Sequence, residues 1–301
     1  MGLFGRRGKG NERTEEGPVR PPPELEPVLD DAHRLGEEGD WEGMARRLRE
    51  ALEDHPGDPF VLCWLGVAER ELGMEGIAYE RFKASLAAHP RDPTVLATAG
   101  SAVAAFDDPD AEAALRTAAL LAPDLALARW YYGAWLAREG FVQEALRELQ
   151  AARELEPEEA SISYELGVAL ALAENPDGAV DELYRASELD PEDGWIRVVL
   201  GLALLDQERV DEALPELVAG ARARPEDVDA QLLSALAAAA EADEALAWEM
   251  LERARYDATG ADAELAALVE ERLDEGPEDA RVFLLTELAP SALRERLRER
   301  P

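Results

Sequence analysis

Cysteine, lysine and histidine are scarce in this chain of 301 residues. With a single cysteine, Cys63, no internal disulfide can form, so a disulfide-stapled scaffold is excluded. Lysine occurs only at Lys9 and Lys83, and 66 acidic residues oppose 31 Lys and Arg, for a formal net charge of -35. Because phosphate binding depends on clustered basic residues, a nucleic-acid partner is not expected. The preference for arginine over lysine points to a GC-rich, bacterial genome.

Long apolar runs are also missing. No run of 18 apolar residues exists, and the N-terminus lacks the apolar core of a signal peptide, so the sequence predicts a cytoplasmic protein. The first residues do combine Leu3 and Phe4 with Arg6 and Arg7. One short segment of this kind binds an anionic membrane weakly, so we do not expect membrane contact through this tail.

Signals for catalysis are poor. The chain has no HExxH, GxSxG or CxxC motif, and two of its three histidines, His55 and His89, each precede a proline at a predicted helix end. A helix C-terminus favours histidine through its dipole and free carbonyls, which explains both positions without chemistry. The sequence therefore predicts no enzyme, no metal site and no cofactor.

What the chain does contain is a regular lattice of glycine and proline. Five glycines stand 34, 33, 34 and 34 residues apart, and each is followed by a proline: Gly66, Gly100, Gly133, Gly167 and Gly201, with Pro90, Pro123, Pro157, Pro191 and Pro225. A constant period of this length is typical of a solenoid, in which each repeat buries its apolar face against its neighbours. The function is then expected to reside in a surface.

Each period has room for two amphipathic helices and a tight turn. The second helix repeats a small residue and, four positions later, a bulky one: Ala78, Ala111, Ala145, Ala179 and Ala213, with Phe82, Leu115, Leu149, Leu183 and Leu217. Each glycine costs a helix about 1 kcal/mol relative to alanine. We therefore interpret the five glycines as packing positions, where the two helices of a repeat approach closely.

The prolines end the second helices, and Asp58 and Asp92 precede a second proline that suits the first helical position. They are predicted N-caps, as are Asp124, Asp193 and Asp227 in later repeats.

This pattern of Leu-Gly, Ala, Phe or Leu, Ala and Pro within 34 residues resembles the tetratricopeptide repeat (TPR). The resemblance implies an all-α, right-handed superhelical solenoid of antiparallel helix pairs. Its repeats fall near 25–58, 59–92, 93–125, 126–159, 160–193 and 194–227, with a degenerate seventh at 228–259. The third repeat is one residue short in its turn, FDDPD at 106–110, so a local irregularity is expected there.

Two segments lie outside the array of 25–259. Residues 1–24 are rich in Gly, Pro and charge without apolar period, which predicts a disordered tail. Residues 260–301 resume a helical pattern and are predicted to be capping helices, because a solenoid must cover its last apolar face.

The resemblance assigns the inner, concave surface to the first helix of each repeat. The residues that it places there as a candidate partner-binding groove are Phe60, Val67, Arg70, Trp130, Arg138, Tyr164, Val168, Trp195 and Leu202. TPR domains that clamp a peptide carboxylate use Lys, Arg and Asn at such positions, and no first helix here carries Lys or Asn. The apolar lining instead favours an apolar or amphipathic segment anchored on Trp130, Tyr164 and Trp195. Equally, these side chains could pack against adjacent repeats, or the C-terminal helices could lie in the groove.

Three functions fit the sequence. The leading one is a scaffold or adaptor that binds a protein or peptide of unknown identity in the groove. The second is a self-associating structural module, or an accessory subunit of a larger assembly, membrane-associated or not. The third, an enzyme or enzyme subunit, is disfavoured because no ionisable cluster is evident.

Overall fold

The computed structural model describes residues 20–298, and all regular structure within that range is helical. Most of the predicted disordered tail, 1–19, lies outside the described residues. The repeats contain the pairs α1 (Glu26–Glu37) and α2 (Trp41–Asp54), α3 (Pro59–Glu71) and α4 (Glu75–Ala87), α5 (Pro93–Ala104) and α6 (Asp110–Leu121), α7 (Ala126–Arg138) and α8 (Val142–Leu155), α9 (Ala160–Leu172) and α10 (Pro176–Leu189), α11 (Gly194–Asp206) and α12 (Val210–Ala223), and α13 (Val228–Ala240) and α14 (Glu244–Asp257). The C-terminal segment contains α15 (Ala261–Glu275), α16 (Pro277–Phe283), a π-helical turn (Leu284–Leu288) and α17 (Ala289–Arg296).

The chain forms two compact units, one ending at Tyr132 and the other beginning at Gly133. Within each unit, successive helices pack against one another along the chain. The fold is thus an all-α array of stacked helix pairs, as predicted.

Aspartate caps begin several first helices. The Asp58 carboxylate accepts hydrogen bonds from the backbone N–H groups of Phe60 and Val61, and Asp92 accepts one from Val95. Asp193 and Asp227 cap α11 and α13 in the same way. These four predicted caps are confirmed. The predicted cap at Asp124 is not, because α7 begins at Ala126 and the residue directly before it is Leu125. Each satisfies backbone donors that a helix N-terminus leaves free.

The five lattice glycines lie at close contacts between the helices of a pair. A Cβ atom at Gly66 would lie 2.9 Å from the Phe82 ring, and one at Gly201 would lie 2.6 Å from Cγ of Leu217. Both distances are too short for a real carbon contact. At these positions the glycine permits a helix approach that alanine would prevent.

A second periodic backbone feature lies in the turns between the helices of each repeat. One residue there has a left-handed φ, at Gly39, Gly73, Asp107, Gly140, Glu174, Glu208 and Ala242. Only three of the seven are glycine, so the others carry a side chain in a conformation that L-residues disfavour. The N–H of the next residue closes the turn on the helix, as from Asp243 to the Ala238 carbonyl at 2.8 Å.

The short turn of the third repeat is irregular, as expected, and is held by Asp108. Its carboxylate accepts hydrogen bonds from Tyr79 Oη at 2.7 Å and Lys83 Nζ at 2.9 Å, both on α4. The Phe106 ring also packs against that of Tyr79. The Tyr79 hydroxyl first, then the Asp110 N–H and Lys83, lower the pKa of Asp108 to about 2.

The C-terminal segment does more than cover the last repeat. Helix α15 packs against α13 and α14, as a cap does, but α16 packs against α13 and α17 reaches back to α11. The π-helical turn lies directly before Ala289–Pro290. Proline has no N–H to donate and its ring clashes with the carbonyl four residues earlier, so the wider turn avoids a break in the helix.

Candidate functional site

In the first unit, the candidate groove residues differ in exposure. Phe60 is buried, Val67 is half-buried, and Arg70 is exposed, with its guanidinium 3.2 Å from Glu71. Trp130 on α7 is half-buried, and its ring centroid lies 4.7 Å from that of Tyr131. The two rings therefore form a partly accessible aromatic surface.

In the second unit, the candidate residues are mostly covered. Arg138 is half-buried at the end of α7, whereas Tyr164, Val168, Trp195 and Leu202 are all buried. The structure brings two of the predicted anchors together, because the indole N–H of Trp195 donates to the Tyr164 hydroxyl at 2.7 Å. This bond satisfies a buried polar group and fixes both rings.

The chain's own C-terminus covers Trp195. The Arg296 guanidinium on α17 lies over the indole, 4.8 Å from its centroid, and Arg224 lies over it at 5.5 Å. Arg296 also donates to Asp227 at 2.7 Å. The side chains of Arg296 and Asp227 are only 8% and 10% exposed. Trp195 thus takes part in a buried cation–π contact with Arg296, and the same guanidinium forms an ion pair with Asp227.

Several charged groups, Arg296 among them, act on the carboxylate of Asp229. Asp229, in the first turn of α13, has its pKa raised by burial, while the nearby positive charge of Arg296 opposes this shift. Asp227, Asp262 and Glu295 reinforce the upward shift by like-charge repulsion. A cation at this position therefore offsets a local excess of negative charge.

Apolar residues of α17 and the π turn complete the cover over α11. Ala289, Leu293 and Leu297 belong to the same buried cluster as Leu202 and Leu205. A partly open pocket of about 140 Å³ lies beside this contact, lined by Leu202, Leu205, Asp206, Glu208, Leu285, Thr286, Ala289, Pro290 and Leu293. In the sixth repeat, α17 therefore packs against the side of α11 that carries Trp195 and Leu202, two of the residues that the resemblance assigns to the groove.

Sequence reasoning missed Arg296 as a site residue. Asp227 was identified only as a cap, which it is, since its Oδ1 also accepts from the Ala230 N–H. The available signal was the arginine-rich SALRERLRER segment opposite a strongly acidic chain. Nothing in the period indicates which of those arginines is buried.

Among residues 20–298, no group of His, Cys, Asp and Glu side chains is arranged to hold a metal ion. Cys63 is buried, and burial raises the pKa of its thiol. In the same part of the chain, no helix has the length and apolar character needed to cross a membrane.

Comparisons with known proteins agree with the helix-pair architecture. Two family models described as tetratricopeptide repeat match residues 136–194 and 170–239. No curated protein sequence matched.

Among solved structures, the array is similar to the APC/C hetero-tetramer Cut9-Hcn1, with a TM-score of 0.67 at 19% identity. That match covers 82% of this chain and 50% of the other, so this chain spans about half the length of that protein. A thermophilic TPR protein of Thermus thermophilus is 26% identical, with a TM-score of 0.48, over 60% of this chain and 98% of its own. YrrB, a TPR protein described as having an unusual peptide-binding site, is 26% identical, with a TM-score of 0.43, over 56% and 87%.

Proposed function

This chain is a tetratricopeptide repeat protein, and from that premise we propose that it is a non-enzymatic scaffold that binds a protein partner on the inner faces of its first helices. The observation that carries the proposal is internal to the molecule. On α11, the face assigned to the groove is already packed against an amphipathic helix, α17. A surface of this composition therefore accommodates a helix.

The accessible part of the proposed surface in the first unit centres on the Trp130–Tyr131 pair. Large aromatic rings that are half-buried and fixed by a neighbour lose little side-chain freedom on binding, which is why they anchor many interfaces. Arg70 and Glu71, both exposed at the end of α3, are charged groups on another first helix of this unit. We propose that a peptide or helix of the partner packs here.

Trp130→Ala tests this surface, and Tyr256→Ala is its control. Tyr256 lies on α14, the second helix of its pair, and is 89% exposed. Its substitution removes an aromatic ring that lies outside the proposed surface. Partners captured from the native organism by the parent should be recovered by Tyr256→Ala and reduced at least about tenfold for Trp130→Ala, the scale of one aromatic anchor. Equal recovery of captured partners by both variants, each with native helicity, would contradict the proposal.

Self-association is the second candidate, and it rests on exposed apolar residues on second helices. Leu120 and Leu121 at the end of α6 are 73% and 44% exposed. We propose that these two leucines lie at a contact between copies, or with other subunits of an assembly, where their apolar surface would be removed from water. Mass measured across a hundredfold concentration range separates this function from the first, since only self-association predicts a rise.

A further inference from the structure

The buried face of α17 contains an arginine. Its buried residues are Ala289, Ala292, Leu293, Arg296 and, just past the helix end, Leu297. They follow the i, i+3, i+4, i+7, i+8 spacing of a single helical stripe. Arginine is rare in such a stripe unless specific partners receive its charge.

Those partners belong to the repeats. The Trp195 ring supplies an aromatic face, and Asp227 supplies a carboxylate that accepts a hydrogen bond at 2.7 Å. A planar guanidinium is matched to both at once, because it stacks on a ring while donating at its edge. Lysine, a point charge on a flexible stem, matches this arrangement less well.

The receiving residues are also held in place without Arg296. The Asp227 side chain caps the N-terminus of α13 by accepting a hydrogen bond from the Ala230 N–H, and Trp195 is hydrogen-bonded to Tyr164. Both contacts lie wholly within the repeats. The repeats therefore preorganise the site that holds the guanidinium. This lowers the free-energy cost of binding an arginine from another helix in place of Arg296.

We propose that Trp195 and Asp227 form an arginine-recognition site for a partner helix, and that α16 to α17 is its intramolecular occupant. The proposal rests on the proposed function, because it takes the inner face as the binding surface. The partner is an amphipathic helix with small or apolar residues at i, i+3 and i+4, arginine at i+7 and leucine at i+8. It binds by displacing the C-terminal segment.

Two features suit the segment to displacement. A single glycine, Gly276, at φ +113°, joins α15 to α16, so rotation there moves the segment once its contacts with α15, such as Arg272 over the Phe283 ring at 5.5 Å, are released. A partly open pocket of about 140 Å³ lies between the segment and Leu202 and Leu205 of α11, so a bulkier side chain of a partner helix has room there. A chain with a net charge of -35 also attracts a basic helix over a distance.

The test uses the full chain and a fluorescent peptide with the sequence of residues 284–298. In the parent, the internal segment competes, so the peptide binds weakly. The double variant Leu293→Asp, Arg296→Ala weakens the segment at two buried positions and should bind the peptide at least about tenfold more tightly, since apparent affinity scales with the fraction of open sites. Arg294→Ala removes an exposed arginine of the same helix and should behave as the parent.

A second peptide isolates the arginine. The same sequence with Arg296→Ala should bind the double variant at least about tenfold more weakly than the parent peptide, the loss typical of one charged contact. Equal binding of the two peptides, equal binding to parent and double variant, or no binding to either would each overturn the proposal. Trp130 lies in the other unit, so the Trp130→Ala experiment tests the proposed function separately. If Trp130→Ala loses partner binding while the peptides give one of these contrary results, the arginine-recognition site is overturned and the proposed function is not.

Discussion

Arg296 donates a hydrogen bond to Asp227 across 69 residues of sequence, with Nη2 and Oδ1 2.7 Å apart. The acceptor oxygen also caps α13, so one carboxylate both starts a first helix and holds α17. Together with the apolar packing of the segment from Pro277 to Arg296, this pairing holds that segment against α11 and α13.

Arg296→Ala should loosen that segment while leaving the repeats folded. The substitution removes a hydrogen bond to a charged group, worth about 2 kcal/mol. Amides of residues 277–297 should then exchange hydrogen about thirtyfold faster, since about 1.4 kcal/mol is a factor of ten. Hydrogen exchange followed by mass spectrometry measures this, with Arg294→Ala as the control. Unchanged exchange in Arg296→Ala would show that apolar packing alone retains the segment.

Gly201→Ala should destabilise the second unit. The new Cβ would lie 2.6 Å from Leu217 Cγ, and relieving such an overlap costs about 1 to 3 kcal/mol. Gly76→Ala is the matched control, because an added Cβ there meets nothing within 4 Å and alanine is the better helix former. Chemical denaturation should rank Gly76→Ala at or above the parent and Gly201→Ala below it. The reverse order would refute the close-packing account of the lattice glycines.

Ala242→Gly should stabilise the seventh repeat. Ala242 has φ +60°, a left-handed conformation that costs an L-residue roughly 1 kcal/mol and glycine almost nothing. Gly39→Ala, at the equivalent turn of the first repeat with φ +73°, should have the opposite effect. Thermal unfolding of both variants tests the pair, and a lower melting temperature for Ala242→Gly would contradict the expectation.

Asp108→Asn should destabilise the chain in a pH-dependent way. The pKa of Asp108 is lowered to about 2 from its ordinary 3.8, so ionisation of this carboxylate stabilises the folded state above pH 4. That contribution is lost as the pH falls from about 4 to about 2. The difference in unfolding free energy between parent and variant should therefore be largest at neutral pH and shrink over that window. A constant difference would mean that the Asp108 charge adds nothing.

Much of the fold was predictable because it repeats. The regular glycines from Gly66 to Gly201 reflect a packing requirement, and the Asp-Pro pairs that begin at 58 and 92 reflect a capping requirement. Both requirements are local and recur with the repeat period of 33 or 34 residues. The shortened turn at 106–110 was predictable as the break in that period. Its anchoring by Tyr79 and Lys83 was not, since these residues belong to the preceding helix pair.

The state of the site was less predictable. The family resemblance placed Trp195 on an inner face, but a position within a repeat does not reveal what lies over it. The cover comes from Arg296, in a segment without periodicity, and its contact with Asp227 joins residues that no local pattern links. For the same reason Trp130, which was predicted alongside Trp195, differs from it in accessibility.

The most direct test of the central claim is hydrogen exchange of the full chain with and without a purified partner obtained by capture. The account predicts that partner binding slows exchange in the first helices of each unit, such as α3 and α5 in one and α9 in the other, and leaves the second helices α4 and α10 unchanged. Protection confined to second helices would contradict it.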